Sequence, residues 1–156
     1  IKECPERVGF SEMDDWNANF ERGAGGYGYN ITYIGSRLWQ SGAAYARTAR
    51  ATEVAQPAKT LMFADAAMSL DGISYIEDSF LWQPQMVYAG RIIAGAYMSP
   101  SVHFRHNDRA NTGWVDGHIE DRTMGDMDKV NVYGVDSAAM NLGWFDPIDN
   151  TLFDLE

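Results

Sequence analysis

Apolar, aromatic and β-branched residues recur along this chain in short runs, each broken by Gly, Pro or an Asp-Gly pair. Runs of that length with such punctuation predict strands joined by tight turns. Residues 27–34 (Tyr-Gly-Tyr-Asn-Ile-Thr-Tyr-Ile) read as a strand, and residues 36–51 as a short helical turn without a sustained apolar stripe. Pro57 sets a turn ahead of the apolar run 60–64, which reads as a buried strand ending at Asp65. Asp71-Gly72 predicts a second turn leading into a strand at 73–76, and a further strand is expected over 86–93. Residues 102–105 read as a strand and 107–111 as a polar loop. Beyond Asp121 the run of acids reads as a loop-rich tail, and residues 1–28 read as irregular.

The sharpest local signal is Asp116-Gly117 between two alternating runs. It predicts a hairpin with a type I′ turn, in which both central residues take positive φ. That register sets Val115 opposite His118 and Trp114 opposite Ile119, with the second pair facing the core.

With 156 residues the chain suits one domain, 1–156, and 46% hydrophobic with 13% aromatic residues is enough to build a core rather than a disordered tail. Twelve Lys and Arg against twenty-two Asp and Glu give a net charge of −10, which repels phosphate backbones and argues against nucleic acid as a partner. Cys4 is the single cysteine, so no internal disulfide forms and no cysteine-rich zinc site exists. No run reaches the roughly 18 apolar residues that span a bilayer, and no leader precedes Ile1; its place at the start suggests that something upstream was removed.

Nine residues separate His106 from Asp116-Gly117, Arg105-His106-Asn107 opens the stretch, Ala110-Asn111 lies within it, and Val115-Asp116-Gly117-His118-Ile119 closes it. Upstream stand Cys4-Pro5, Gly26-Tyr27-Gly28-Tyr29-Asn30, and 57–65 (Pro-Ala-Lys-Thr-Leu-Met-Phe-Ala-Asp). Together, in this order, these segments resemble the family carrying the prepilin-type processing-associated H-x9-DG motif, which comprises type IV pilin-like and type II secretion pseudopilin-like proteins. The resemblance implies an α+β, mainly antiparallel β head, here with the family's N-terminal apolar helix missing. It implies a non-enzymatic structural subunit of a pilus-like or pseudopilus-like surface assembly. Its partners would be other pilin-like subunits. The head would be periplasmic or at the cell surface, held to the inner membrane through the missing helix, and by itself monomeric or weakly associating.

In the motif itself Gly117 supplies positive φ, Asp116 bonds nearby backbone amides, and His106 is expected to reach the turn as a donor; His106, Asp116 and Gly117 thus form a structural motif with no catalytic residue. Three alternatives use other residues. His103, His106 and His118, with Asp108, Asp116 and Asp121, offer nitrogen and oxygen ligands for a metal-dependent hydrolase. Asp126, Asp128 and Asn131 offer alternate oxygens for calcium, the one candidate cofactor, as some pseudopilins bind calcium in a C-terminal loop. Five tryptophans and eight tyrosines would suit the stacking platform of a secreted carbohydrate-binding module, against a core-filling role. No Ser or Cys has the neighbours of a catalytic nucleophile.

Overall fold

The computed structural model describes residues 26–35, 48–127 and 130–156. The predicted helical turn over 36–51 lies almost wholly outside them, as do Cys4-Pro5 and Asp128. Nine strands follow in order: β1 Tyr27–Asn30, β2 Leu61–Asp65, β3 Phe80–Leu81, β4 Gln85–Tyr88, β5 Arg91–Tyr97, β6 Val102–His103, β7 Arg109–Trp114, β8 Ile119–Thr123 and β9 Leu142–Gly143. Two 3-10 turns, Ala51–Glu53 and Ala138–Met140, are the helical segments among the described residues. The protein is therefore mainly antiparallel β, and no α-helix stands among those residues.

Five strands form one sheet in the order β3-β1-β2-β7-β8, antiparallel except where β1 meets β3. Two hairpin-sized sheets, β4-β5 and β6-β9, complete the fold. Alternation decides the faces of the main sheet. On β7, Ala110, Thr112 and Trp114 point inward, where they join Leu61, Ala64, Leu81, Phe104, Trp144 and Phe145 in one core. The other face carries a row read straight across the strands, Phe80–Tyr29–Phe63–Gly113–Ile119, with Phe63 and Ile119 exposed to solvent.

The strand predicted over 27–34 stops at Asn30. Its Oδ1 accepts the Tyr33 N–H and its carbonyl accepts the Gly35 N–H, which turns the chain back before Ile31 can extend the ladder. The strand predicted over 86–93 is two strands. Ala89 and Gly90 have φ of 50° and 74°, and Tyr88 pairs with Arg91 around them, the two-residue turn with both φ positive that a hairpin favours. The 73–76 strand shrinks to one bridge, Met68 with Ile76, because Asp71 gathers the Ile73 and Ser74 N–H groups into its own turn. The segment beyond β8 is loop-rich, as expected, and it also supplies part of the core. Trp144, Phe145 and Phe153 are fully buried, and the carbonyl of Leu152 accepts the N–H of Leu61.

The Asp116-Gly117 hairpin forms with a different turn and register. Gly113 pairs with Ile119, so Trp114 stands opposite His118 and the loop is Val115-Asp116-Gly117. Among these only Gly117 has positive φ, at 92°, and its N–H reaches the Trp114 carbonyl at 2.9 Å; this is a three-residue loop with a left-handed glycine, not a type I′ turn. A one-residue slip reverses faces, and Ile119 accordingly lies 78% exposed on the outer side. In this register Trp114 packs against His118 and Arg122. Its ring is buried, lies parallel to the His118 ring at 5.6 Å between centroids, and is covered by the Arg122 guanidinium.

A Cβ at Gly117 would meet nothing within 4 Å, so substitution there costs backbone strain alone. Gly117→Val is expected to lose about 1–2 kcal/mol and Gly117→Asn much less, since Asn tolerates the left-handed region. Thermal melts check this: equal stability for the valine and asparagine variants would remove the left-handed glycine from the account.

Candidate functional site

Asp65 ends β2 with a side chain that has no exposed surface. A lone carboxylate in that position would be costly, so its partners define the site. The Arg105 guanidinium lies at 2.5 Å from Oδ1, the backbone N–H of Asn111 donates to Oδ2 at 2.7 Å, and His106 Nε2 stands 3.3 Å from Oδ2. Arg105 is itself 4% exposed and uses both terminal nitrogens: Nη2 also donates to the Gly26 carbonyl at 2.7 Å, and Nη1 faces His103 Nδ1 at 3.2 Å. One buried ion pair thus ties together the entry to β1, the end of β2, the segment after β6 and the start of β7.

Local sequence explains how these groups arrive. His106 and Arg109 exchange both backbone hydrogen bonds around Asn107 and Asp108, each at φ 58°, so this pair forms the tight turn with two positive φ values. Asn and Asp are the side-chain-bearing residues that best tolerate that conformation. The turn replaces the first half of the polar loop predicted over 107–111 and starts β7 at Arg109. Gly26 is fitted twice over: its φ is +79°, and an added Cβ would lie 2.9 Å from Arg105 Nη2.

His103 is buried behind this pair with its ring 4.4 Å from that of Tyr75. Burial, with smaller contributions from the Arg105 charge and from His106, pushes its pKa down to about 3. The ring is therefore neutral at pH 7, and because Arg105 only donates, Nδ1 is the acceptor and Nε2 carries the proton. The consequence for stability has a definite sign. In the unfolded chain the ring takes up a proton below about pH 6.5 and in the folded chain only near pH 3, so stability is complete above 6.5 and declines on acidification between the two. Lowering the pH from 7.5 to 5.5 is expected to cost on the order of 1 kcal/mol through this residue, and His103→Gln should flatten that part of the urea-denaturation profile. An unchanged slope in the glutamine variant would sink the assignment.

The residues predicted from sequence separate into different places. His106 does not reach the Asp116-Gly117 turn: the two sit at opposite ends of β7, about 20 Å apart for six residues at the usual strand rise. His106 faces Asp65 instead. Asp116 bonds the His118 backbone N–H at 3.0 Å and the His118 ring at 2.6 Å, so the hairpin tip is closed on itself. His103, His106 and His118 do not converge, for His103 abuts a guanidinium and His118 belongs to that distal tip. No group of three or more His, Cys, Asp or Glu stands ready for a metal among the described residues.

For the calcium candidate, Asp126 is exposed, Asp128 lies outside the described residues, and Asn131 is already committed. Asn131 Oδ1 accepts the N–H groups of Tyr133 and Val135, which uses both lone pairs, while Nδ2 donates to the Ser69 carbonyl. Its side chain staples two loops rather than offering an oxygen to a cation. Trp114 and Trp144 are buried and Trp82 is half-buried, so the described tryptophans serve the core and form no open platform.

Asp65, Arg105 and Asn111 were visible in the sequence only as parts of longer similar segments, not as a site. The available signal was a charged residue closing an apolar run, Phe63-Ala64-Asp65, where a buried strand needs a cationic partner. Comparison of the chain with family models, with curated proteins and with solved structures yields no match.

Proposed function

We propose that this chain is the globular head of a pilin-like or pseudopilin-like subunit, with a structural rather than a catalytic role at the cell envelope. The observation that carries the reading is the meeting of Gly26, Asp65, Arg105, His106 and Asn111 around one buried carboxylate. These residues come from the separated segments on which the resemblance rests, and their chemistry is used up in mutual hydrogen bonds that hold strands together. Paired groups with no reacting partner suit architecture.

The outer face of the main sheet supports the same reading. Its apolar row from Phe80 to Ile119 offers a helix a surface to lie on, as the N-terminal helix of a pilin-like subunit would. In this reading that helix anchors the head in the inner membrane, and other pilin-like subunits are its partners. The test is the gene product in its own cell. Processing ahead of an apolar helix and recovery of the head in sheared surface filaments or in an envelope pseudopilus is the expected result. A freely secreted product, or a head fused to a catalytic domain, would overturn the reading.

A further inference from the structure

Among the described residues, strand β5 of the β4-β5 hairpin is largely uncovered. Six of the seven residues of β5 are exposed, including Ile92 at 52% and Ile93 at 40%, and Tyr88 beside the turn is 61% exposed. The main sheet treats its open edge differently: β8 carries Glu120, Asp121 and Arg122, charges that discourage pairing. β5 has Arg91 as its single charge. Indeed no Asp or Glu occurs between Asp78 and Asp108 in a chain of net charge −10. Two copies of so acidic a protein repel each other over most orientations, and this hairpin is a surface they can bring together without opposing carboxylates.

The register between β4 and β5 is broken between Gln85 and Val87, and Gly95 has φ +73°, so β5 is bulged and its edge is not a flat template for adding further strands. Contact is therefore made by side chains. Tyr88 and Arg91 are paired and share one face, with Ile93 two residues along on the same side. Next to the hairpin lies a groove lined by Tyr33, Val87, Gly90, Ile92, Asp154, Leu155 and Glu156, of about 280 Å³. Its lining joins apolar side chains with two carboxylates, the complement of an arginine with its aliphatic stem. Burial, together with the nearby Glu156 and Asp149 charges, raises the pKa of Asp154, as expected where carboxylates lack a cation.

We infer that this hairpin is a self-association surface: a second copy of the chain packs Tyr88 and Ile93 against their equivalents and reaches with its Arg91 past the turn at Gly90 to the Asp154–Glu156 groove. The arrangement is two-fold, each copy giving one arginine and receiving one. A strand of seven residues is about 23 Å long, and a contact about 10 Å wide along it covers a few hundred Å² on each copy. That falls below the roughly 1,000 Å² in total of stable interfaces, so the dimer is weak and reversible between free chains. The inference concerns this pairing and does not depend on the filament reading.

Sedimentation of the whole chain across a concentration series, up to about 1 mM, tests it. The expected result is a monomer–dimer equilibrium weakened about tenfold or more by Ile93→Glu and by Arg91→Glu, with melting temperatures within about 2 °C of the parent because both sites are exposed. Mixing Arg91→Lys with the parent should preserve dimers. Mixing Arg91→Glu with Glu156→Lys should give more heterodimer than either variant gives homodimer. A chain that stays monomeric throughout, a dimer indifferent to both glutamate variants, or a monomer that floats with phosphatidylcholine vesicles through Tyr88 and Ile93 would each overturn it, the last by making a bilayer the occupant.

Discussion

Arg105→Ala is expected to destabilise the protein by about 3–5 kcal/mol, the largest single effect of any side chain outside the apolar core. The cost arises less from the attraction lost than from the charge left behind. Asp65 has no access to water, and without the guanidinium it keeps one backbone N–H and His106 near a negative charge that bulk solvent would otherwise stabilise. Arg105 also closes the Gly26 carbonyl, so the entry to β1 loosens at the same time. Asp65→Ala should be similarly harmful, because it strands a guanidinium that is nearly as buried. The double variant should be better than the sum of the two by at least about 1 kcal/mol, since neither residue then leaves a buried charge unmatched. Urea denaturation of the four proteins decides it, and additive losses would show that the two side chains contribute separately. His106→Ala is expected to matter less than either, at about 1 kcal/mol, because its ring is partly exposed and Asp65 retains two stronger partners.

Asn30→Ala is expected to cost about 2–4 kcal/mol. Asn30 is fully buried, and its Nδ2 donates to the carbonyls of Leu61 at 2.9 Å and Phe153 at 2.7 Å while its Oδ1 ends β1. Removing the amide leaves buried carbonyls unsatisfied at both ends of that bridge, each worth about 1–3 kcal/mol. Asn30→Asp is the more informative variant. It keeps the acceptor and nearly the same shape but loses both donors and aims a carboxylate at two carbonyl oxygens. It should therefore be at least as unstable as the alanine variant. The loss should also be local, because Phe153 is the attachment of the last segment, so proteolysis near residues 149–156 should accelerate before the main sheet opens. Equal protection of that segment in Asn30→Ala and the parent would contradict the bridge.

Strand content, the turn at Pro57, the strand that ends at Asp65 and the existence of the 112–121 hairpin followed from local chemistry alone, because proline, glycine and alternating apolar residues act over a few positions. That Phe63 in that strand faces solvent did not follow. Nor did the choice of turn. Asp116-Gly117 has the composition of a type I′ loop, yet that geometry is found at Asn107-Asp108, and its φ signs recur at Ala89-Gly90. At the first site the observed register sets His118 rather than Ile119 opposite Trp114, so that the His118 ring stacks on the indole beside the Arg122 guanidinium, contacts that the type I′ register forgoes.

The candidate site was legible in its parts and not in its assembly. His106 was expected to meet the Asp116-Gly117 turn, but it faces Asp65, which lies 41 positions earlier, and nothing in a single sequence assigns which acid a given histidine meets. The same holds for the last segment, which is loop-rich as its sequence suggested, while its Trp144, Phe145 and Phe153 fill the core. Sequence determined which residues favour strands, turns and burial, because those preferences belong to each side chain and its near neighbours. Tertiary structure alone decided register, charge partners and the role of the tail, because each depends on long-range packing in which burying one aromatic or matching one buried charge is worth more than any local preference.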